Sequence, residues 1–185
     1  MNISKGDQLI SHPSILGDHS FGRSVVLLTH SSLQDGFVGF VVNKKLSLYL
    51  NELLPEINVS MPVHEGGPVE NDNLYFIHAI DELADTSIEI TSGLYWGGDI
   101  ERIKDWLRTS KKPEPYIRFF LGYSGWETGQ LEQEIEDGVW ILDQDPKNND
   151  DLLFKREELI WKESIDQIGG SLSYWQNAPE NPEHN

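Results

Sequence analysis

Residues 116–143, Y-I-R-F-F-L-G-Y-S-G-W-E-T-G-Q-L-E-Q-E-I-E-D-G-V-W-I-L-D, restrict the fold more than any other part of the chain. The run 117–121 is apolar and aromatic except for Arg118, the pattern of a strand covered on both faces, so it should lie inside a sheet. Gly122 and Gly125 free the backbone from the limits that a Cβ sets, and Trp126 offers a large apolar anchor; residues 122–126 therefore read as a rigid turn. Leu131 and Ile135 share one helix face, Glu132, Glu134, Glu136 and Asp137 load the rest with charge, and Gly138 stops the helix. A further strand, 139–142, follows at once.

The rest of the chain supplies the partners. Residues 8–12 form a short strand that ends at Pro13, and the following loop carries polar groups such as His19. Runs 21–29 and 37–42, rich in Val, Leu and Phe, should pair as an antiparallel hairpin through Ser31, Ser32, Gln34, Asp35 and Gly36. Asn43 ends the second of them, and Ser47 is placed to cap a short helix with Leu50, Leu53 and Leu54 at helical spacing, closed by Pro55. A strand at 62–65 runs into Gly66-Gly67-Pro68-Val69, where two glycines before a proline call for a tight turn. Strands at 74–80 and 87–91 follow, and Tyr95-Trp96-Gly97-Gly98 breaks the second. Asp99 can cap a helix over 100–109 with Ile100, Ile103 and Leu107 as its apolar stripe. A polar loop spans 144–151, and a helix over 157–168 turns Trp161, Ile165 and Ile168 inward and stops at Gly169-Gly170.

The expected fold is α+β: a single domain over residues 1–175, with a mixed, mainly antiparallel sheet of about seven strands, open or barrel-like, and three or four helices around it. Residues 176–185 hold too little apolar content to pack and should form a mobile tail.

Gly122-Tyr123-Ser124-Gly125-Trp126, then Gly129-Gln130-Leu131-Glu132 and Glu134, with Glu65-Gly66-Gly67-Pro68-Val69 as a second motif, resembles the signature of the bacterial YqgE/AlgH family. The likeness extends from Gly6 through His12-Pro13, Ser24-Val25, Gly39 and Asn43 to Trp161 and Gly169, nearly the whole chain. It implies an α+β fold and a link to transcriptional regulation; the family is carried as uncharacterised, so its name brings no chemistry, and that must come from the residues.

Composition excludes several classes of function. The absence of cysteine rules out disulfides, thiol nucleophiles and cysteine-built metal centres. The formal net charge of −17, from 31 acidic against 14 basic residues, disfavours direct nucleic-acid binding, which needs a basic stripe to neutralise phosphates. No run approaches the ~20 apolar residues of a membrane helix, and no basic-then-apolar leader opens the chain, so a cytoplasmic location is expected.

Gly122-Tyr123-Ser124-Gly125 comes near the G-x-S-x-G nucleophile elbow, but Trp126 stands at the fifth position and only His184 lies downstream, so Ser124 reads as a serine that satisfies backbone groups. Neither a dinucleotide fingerprint nor a P-loop occurs, and the six histidines show no metal-ligand spacing; no cofactor and no metal are expected. Polar and glycine-rich positions at strand ends remain: Arg23, Asn43, Glu65, Gly66, Gly67, Pro68, Gly122, Gly125, Trp126, Gln130 and Glu134. They can form a structural network that locks the two glycine corners together, or they can line a cleft. Three readings of function follow: a non-enzymatic module that binds a protein or small-molecule partner, an enzyme whose carboxylate-based cleft is built from Asn43, Glu65 and Glu134, or a direct DNA-binding regulator. Tyr95 and Trp96 are candidate contacts, with core packing as their alternative. Oligomeric state is not readable.

Overall fold

The computed structural model describes residues 2–32, 36–145, 149 and 152–177. Within them ten strands form one sheet, and its organiser is the strand that the sequence singles out. That strand, β9 (Ile117–Trp126), pairs along one side with β6 (Val69–His78). Its other side is shared. The first half runs parallel to β5 (Pro62–Glu65), and the second half runs antiparallel to β3 (Gly36–Val41). From β3 the sheet continues through β2 (Val25–Ser32) and β1 (Gln8–Ser11) to β10 (Trp140–Asp143). From β6 it continues through β8 (Leu94–Trp96) to β7 (Ile88–Thr91), while β4 (Lys45–Tyr49) hangs on β5. The path ends at β10 and β7, so the sheet is open rather than a closed barrel.

Alternation along the strands divides the apolar side chains between the two sheet faces. Leu27, Phe40 and Phe120 pack with Trp161 and Ile165 of α4 (Glu157–Ile168) on one face. Phe119 and Ile117 meet Ile103 and Leu107 of α2 (Ile100–Thr109), and Val26, Leu28 and Trp126 meet Leu131 of α3 (Gln130–Glu136). The central strand thus contributes to every core cluster. The remaining helix, α1, is one turn, Leu50–Leu53.

Several expectations need correction. The glycines at 122 and 125 do not form a turn; the strand runs on through them, because Gly122 (φ 68) and Gly67 (φ 150) let two backbones approach where side chains would collide. Ten strands replace about seven. Residues 45–49, where Ser47 was placed as a cap, are a strand, and the helix that follows starts from Tyr49, whose N–H donates to Glu52 Oε1 at 3.0 Å. Tyr95 and Trp96 do not break the preceding strand but form the next one: Trp96 packs on Phe40, with centroids 6.0 Å apart, and Tyr95 stacks on His78 at 5.5 Å. Ile168 is 39% exposed rather than inward. Asp99 caps α2 as its sequence position suggests, accepting from Glu101 N at 2.9 Å and Arg102 N at 3.4 Å. Gln34, Asp35, most of the loop 146–151 and the tail from 178 lie outside the described residues. Gln176 and Asn177, the first two residues of the expected tail 176–185, end a 3-10 stretch, Gly170–Asn177, where Gln176 donates to Asp166 at 3.2 Å.

Candidate functional site

The two glycine corners meet. A Cβ on Gly66 would collide with the carbonyl oxygen of Gly122, and one on Gly122 would stand 2.5 Å from Gly67 O and 2.8 Å from Val69 O. Gly66 is where β9 exchanges partners: its N–H donates to Leu121 O at 2.8 Å, and its carbonyl accepts from Val41 N at 2.9 Å and from the buried Ser124 hydroxyl at 3.1 Å. Ser124 therefore satisfies a backbone acceptor and is not presented to solvent as a nucleophile. Pro68 follows on the exposed side of the joint.

The other polar candidates do not join this corner into a single network. Glu134 Oε2 accepts both indole N–H groups, from Trp126 and Trp140, each at 2.8 Å, while its Oε1 accepts from Gln130 Nε2 at 2.9 Å. One carboxylate thereby ties the end of β9 to α3 and β10. Asn43 lies elsewhere, accepting from Val25 N and donating to Arg23 O, both at 2.8 Å. It holds Arg23 in a left-handed conformation (φ 54), with its guanidinium 5.9 Å over the ring of Trp161. Asn43 lines one cleft of about 360 Å³ and Glu134 another of similar volume; Glu65 lines neither. The three residues of the enzyme reading are thus not gathered round one cavity.

The lock on Glu134 is testable. Glu134→Ala strands two buried indole donors and should lower stability by roughly 2–4 kcal/mol, whereas Glu134→Gln keeps an acceptor oxygen and should lose clearly less. Urea midpoints of the two variants check the order.

A different constellation occupies a cleft of about 380 Å³ between β4, β5, the start of β9 and the approach to α4. Arg118, the one charge in an apolar strand, lies 6% exposed at its base. It donates through Nη1 to Val42 O at 2.6 Å and through Nη2 to Leu153 O at 3.3 Å and Lys155 O at 3.4 Å, stitching the segment before α4 to the sheet. Glu157 Oε1 stands 3.9 Å from the same guanidinium and 2.9 Å from Nε2 of the buried His64, whose Nδ1 faces Phe119 O at 3.3 Å. The hydrogen bond from His64 holds the Glu157 carboxyl down to about 2, with Arg118 assisting. Burial pushes the His64 imidazole below its ordinary value, outweighing the opposing pull of Glu157, and Nε2 donates to the Glu157 carboxylate, which can only accept. His78 is likewise held down by burial; it donates to Ser87 Oγ at 2.8 Å, since that hydroxyl is itself committed to Leu83 O.

These shifts fix a sign. All three groups bind a proton more readily unfolded than folded, so the stability they contribute is intact above the unfolded values and lost on acidification. For the histidines the loss starts below the ordinary 6.5, and for Glu157 it runs from 4.5 towards 2. The stability gap between wild type and His78→Gln should therefore narrow from pH 7 to pH 5; comparing the two proteins cancels the relief of acidic self-repulsion common to both.

Sequence reasoning missed this cleft. Its available signal was Arg118, since a charge in a buried strand must find partners, but those partners come from segments 35 to 76 residues away. Among the described residues no three His, Asp or Glu side chains are grouped so that they could hold a metal ion, and no helix is long and apolar enough to cross a membrane.

Comparison with known proteins places this geometry in context. The AlgH-like family model matches residues 8–173. A UPF0301 protein of Bacteroides thetaiotaomicron is 35% identical over 98% of this chain and 91% of its own length. A second, from Bacteroides fragilis, is 39% identical with the same coverage. Among solved structures, the AlgH protein of Pseudomonas aeruginosa superposes with a TM-score of 0.68 at 25% identity, covering 97% of this chain and 98% of that one. A protein from Corynebacterium diphtheriae shares the fold, with a TM-score of 0.74 at 21% identity over 96% and 93% of the two chains.

Proposed function

The chain belongs to the AlgH-like family, and from that premise we propose that it is a non-enzymatic binding module of the cytosol, acting on transcription indirectly through a protein or small-molecule partner rather than by contacting DNA. The observation that carries this reading is the cleft at the base of β9. His64 gives its Nε2 hydrogen to Glu157 and its ring is only 2% exposed, so the imidazole holds the frame and is shut away from a substrate. Cations nevertheless line the rim. A formal charge of −17 opposes approach to a polyanion, which supports the indirect role.

The test is purification of wild type and of Lys45→Glu/Arg156→Glu from the native host, with mass detection of whatever accompanies each. A small molecule or specific protein carried by wild type and lost from the variant is the expected result. Identical material with both, or none with either, contradicts the reading, as would retardation of DNA in gel shifts at low salt.

A further inference from the structure

On a strongly acidic chain, the cleft between β4, β5, β9 and α4 gathers four cationic side chains, Lys45, Arg118, Lys155 and Arg156, against the carboxylates of Glu114 and Glu157. One of those carboxylates is already engaged: Glu157 accepts from His64 and lies beside Arg118. Two of the rim cations are loosely held. The ammonium of Lys45 has no partner among the described residues, and Arg156 Nε is 3.6 Å from Glu158 on an exposed side chain. These two can turn to a ligand without breaking a buried contact, and Lys155, 3.9 Å from Glu163, adds its charge beside them.

The cleft also has an apolar side. Met61 and Ile117 lie within its wall, and Phe154 stands at its edge 53% exposed, its ring edge-on to the exposed Tyr116 at 5.7 Å. A volume of about 380 Å³ matches a small ligand. Size and charge agree here. An acidic macromolecule would bring further negative groups against a chain of formal charge −17, whereas a small anion inside the cleft lies closest to its cations and is screened from most of the remainder beyond about 8–10 Å.

We propose that this cleft is a binding site for a small organic anion, a carboxylate or phosphate monoester carried on an apolar or aromatic body. The anionic group sits among Lys45, Lys155 and Arg156, and the body lies against Phe154 and Met61. Arg118 is a positioning residue, since its guanidinium is occupied in holding the segment that carries Phe154, Lys155 and Arg156. The assignment rests on the binding-module reading and names the ligand class of the same cleft.

Calorimetric titration of wild type and of Lys45→Glu/Arg156→Glu with phenyl phosphate, phthalate, inorganic phosphate and benzyl alcohol tests it. Phenyl phosphate or phthalate should bind wild type with Kd of about 1 mM or tighter, and the stronger of the two tells phosphate from carboxylate preference. Inorganic phosphate, lacking the apolar body, should bind at least about tenfold more weakly, and the double variant should lose at least about tenfold for the organic anions. Added salt should weaken binding. Both substituted side chains are exposed; should the pair nonetheless disturb folding, Arg156→Glu alone replaces it, a change that favours the helix N-terminus. The assignment falls if benzyl alcohol binds as well as the anions, if the variant binds like wild type, or if no anion gives saturable heat up to about 20 mM. Any of these outcomes, with a host-derived partner still recovered, defeats the anion and leaves the binding module; failure to recover anything from the host defeats the module itself.

Discussion

Gly66→Ala should abolish stable folding or cost well over 3 kcal/mol, an effect larger than that of most single substitutions. The added methyl would meet the carbonyl of Gly122, a backbone atom inside the sheet that cannot swing aside as a side-chain tip can. Gly122→Ala should be as damaging for two reasons, the left-handed φ of 68 and the carbonyls of Gly67 and Val69 at 2.5 and 2.8 Å. Gly93→Ala separates these causes. That glycine also has positive φ (78), but a Cβ there meets nothing within 4 Å, so the cost should be the conformational ~1–2 kcal/mol alone. Denaturant midpoints for the three variants should order Gly66 and Gly122 together, far below Gly93. Equal losses at all three would mean that close approach of the corners does not hold the sheet.

Arg118→Met should cost about 3–5 kcal/mol, the range for breaking a buried charge constellation. The substitution fills similar volume but leaves the carbonyls of Val42, Leu153 and Lys155 without their donor, and removes the cation facing Glu157. Arg118→Lys should recover only part of the loss, because an ammonium cannot reproduce the planar fork that reaches three acceptors. Arg156→Ala, an exposed change on the same rim, should stay within about 0.5 kcal/mol of wild type. A mild Arg118→Met would show that the segment before α4 is held by its apolar contacts alone.

Local chemistry was the part of this fold legible in the sequence. Asp99 before Ile100, Ile103 and Leu107 marks α2, the spacing of Trp161 and Ile165 marks α4, and the 117–121 run marks a central strand, because caps and periodicity act within a few residues. Gly122 and Gly125 were legible as special but were misread as a turn. A glycine that permits a bend and one that admits a neighbouring backbone look alike until the neighbour, here Gly66-Gly67, is in place. The short strands 45–49 and 94–96 were missed for a related reason: their partners β5, β6 and β7 make them strands, and neither run is apolar enough to declare itself. Of the site candidates, Gly66, Gly122, Trp126, Gln130 and Glu134 are engaged with one another in pairs and clusters, and Pro68, Gly125, Trp126, Gln130 and Glu134 line a cleft of about 360 Å³. Lys45, Phe154 and Arg156, which face the cleft at the base of β9, carry no local pattern at all.

Amide-resolved NMR titration of the wild-type protein with phenyl phosphate separates a frame built by the motifs from a recognition cleft beside it. Shifts should concentrate at Lys45, Met61, Phe154, Lys155 and Arg156 and leave Gly66, Gly67, Gly125, Trp126 and Gln130 unmoved. Shifts gathered instead at the glycine corners and the Trp126–Glu134 lock would place recognition in the motifs and contradict that division.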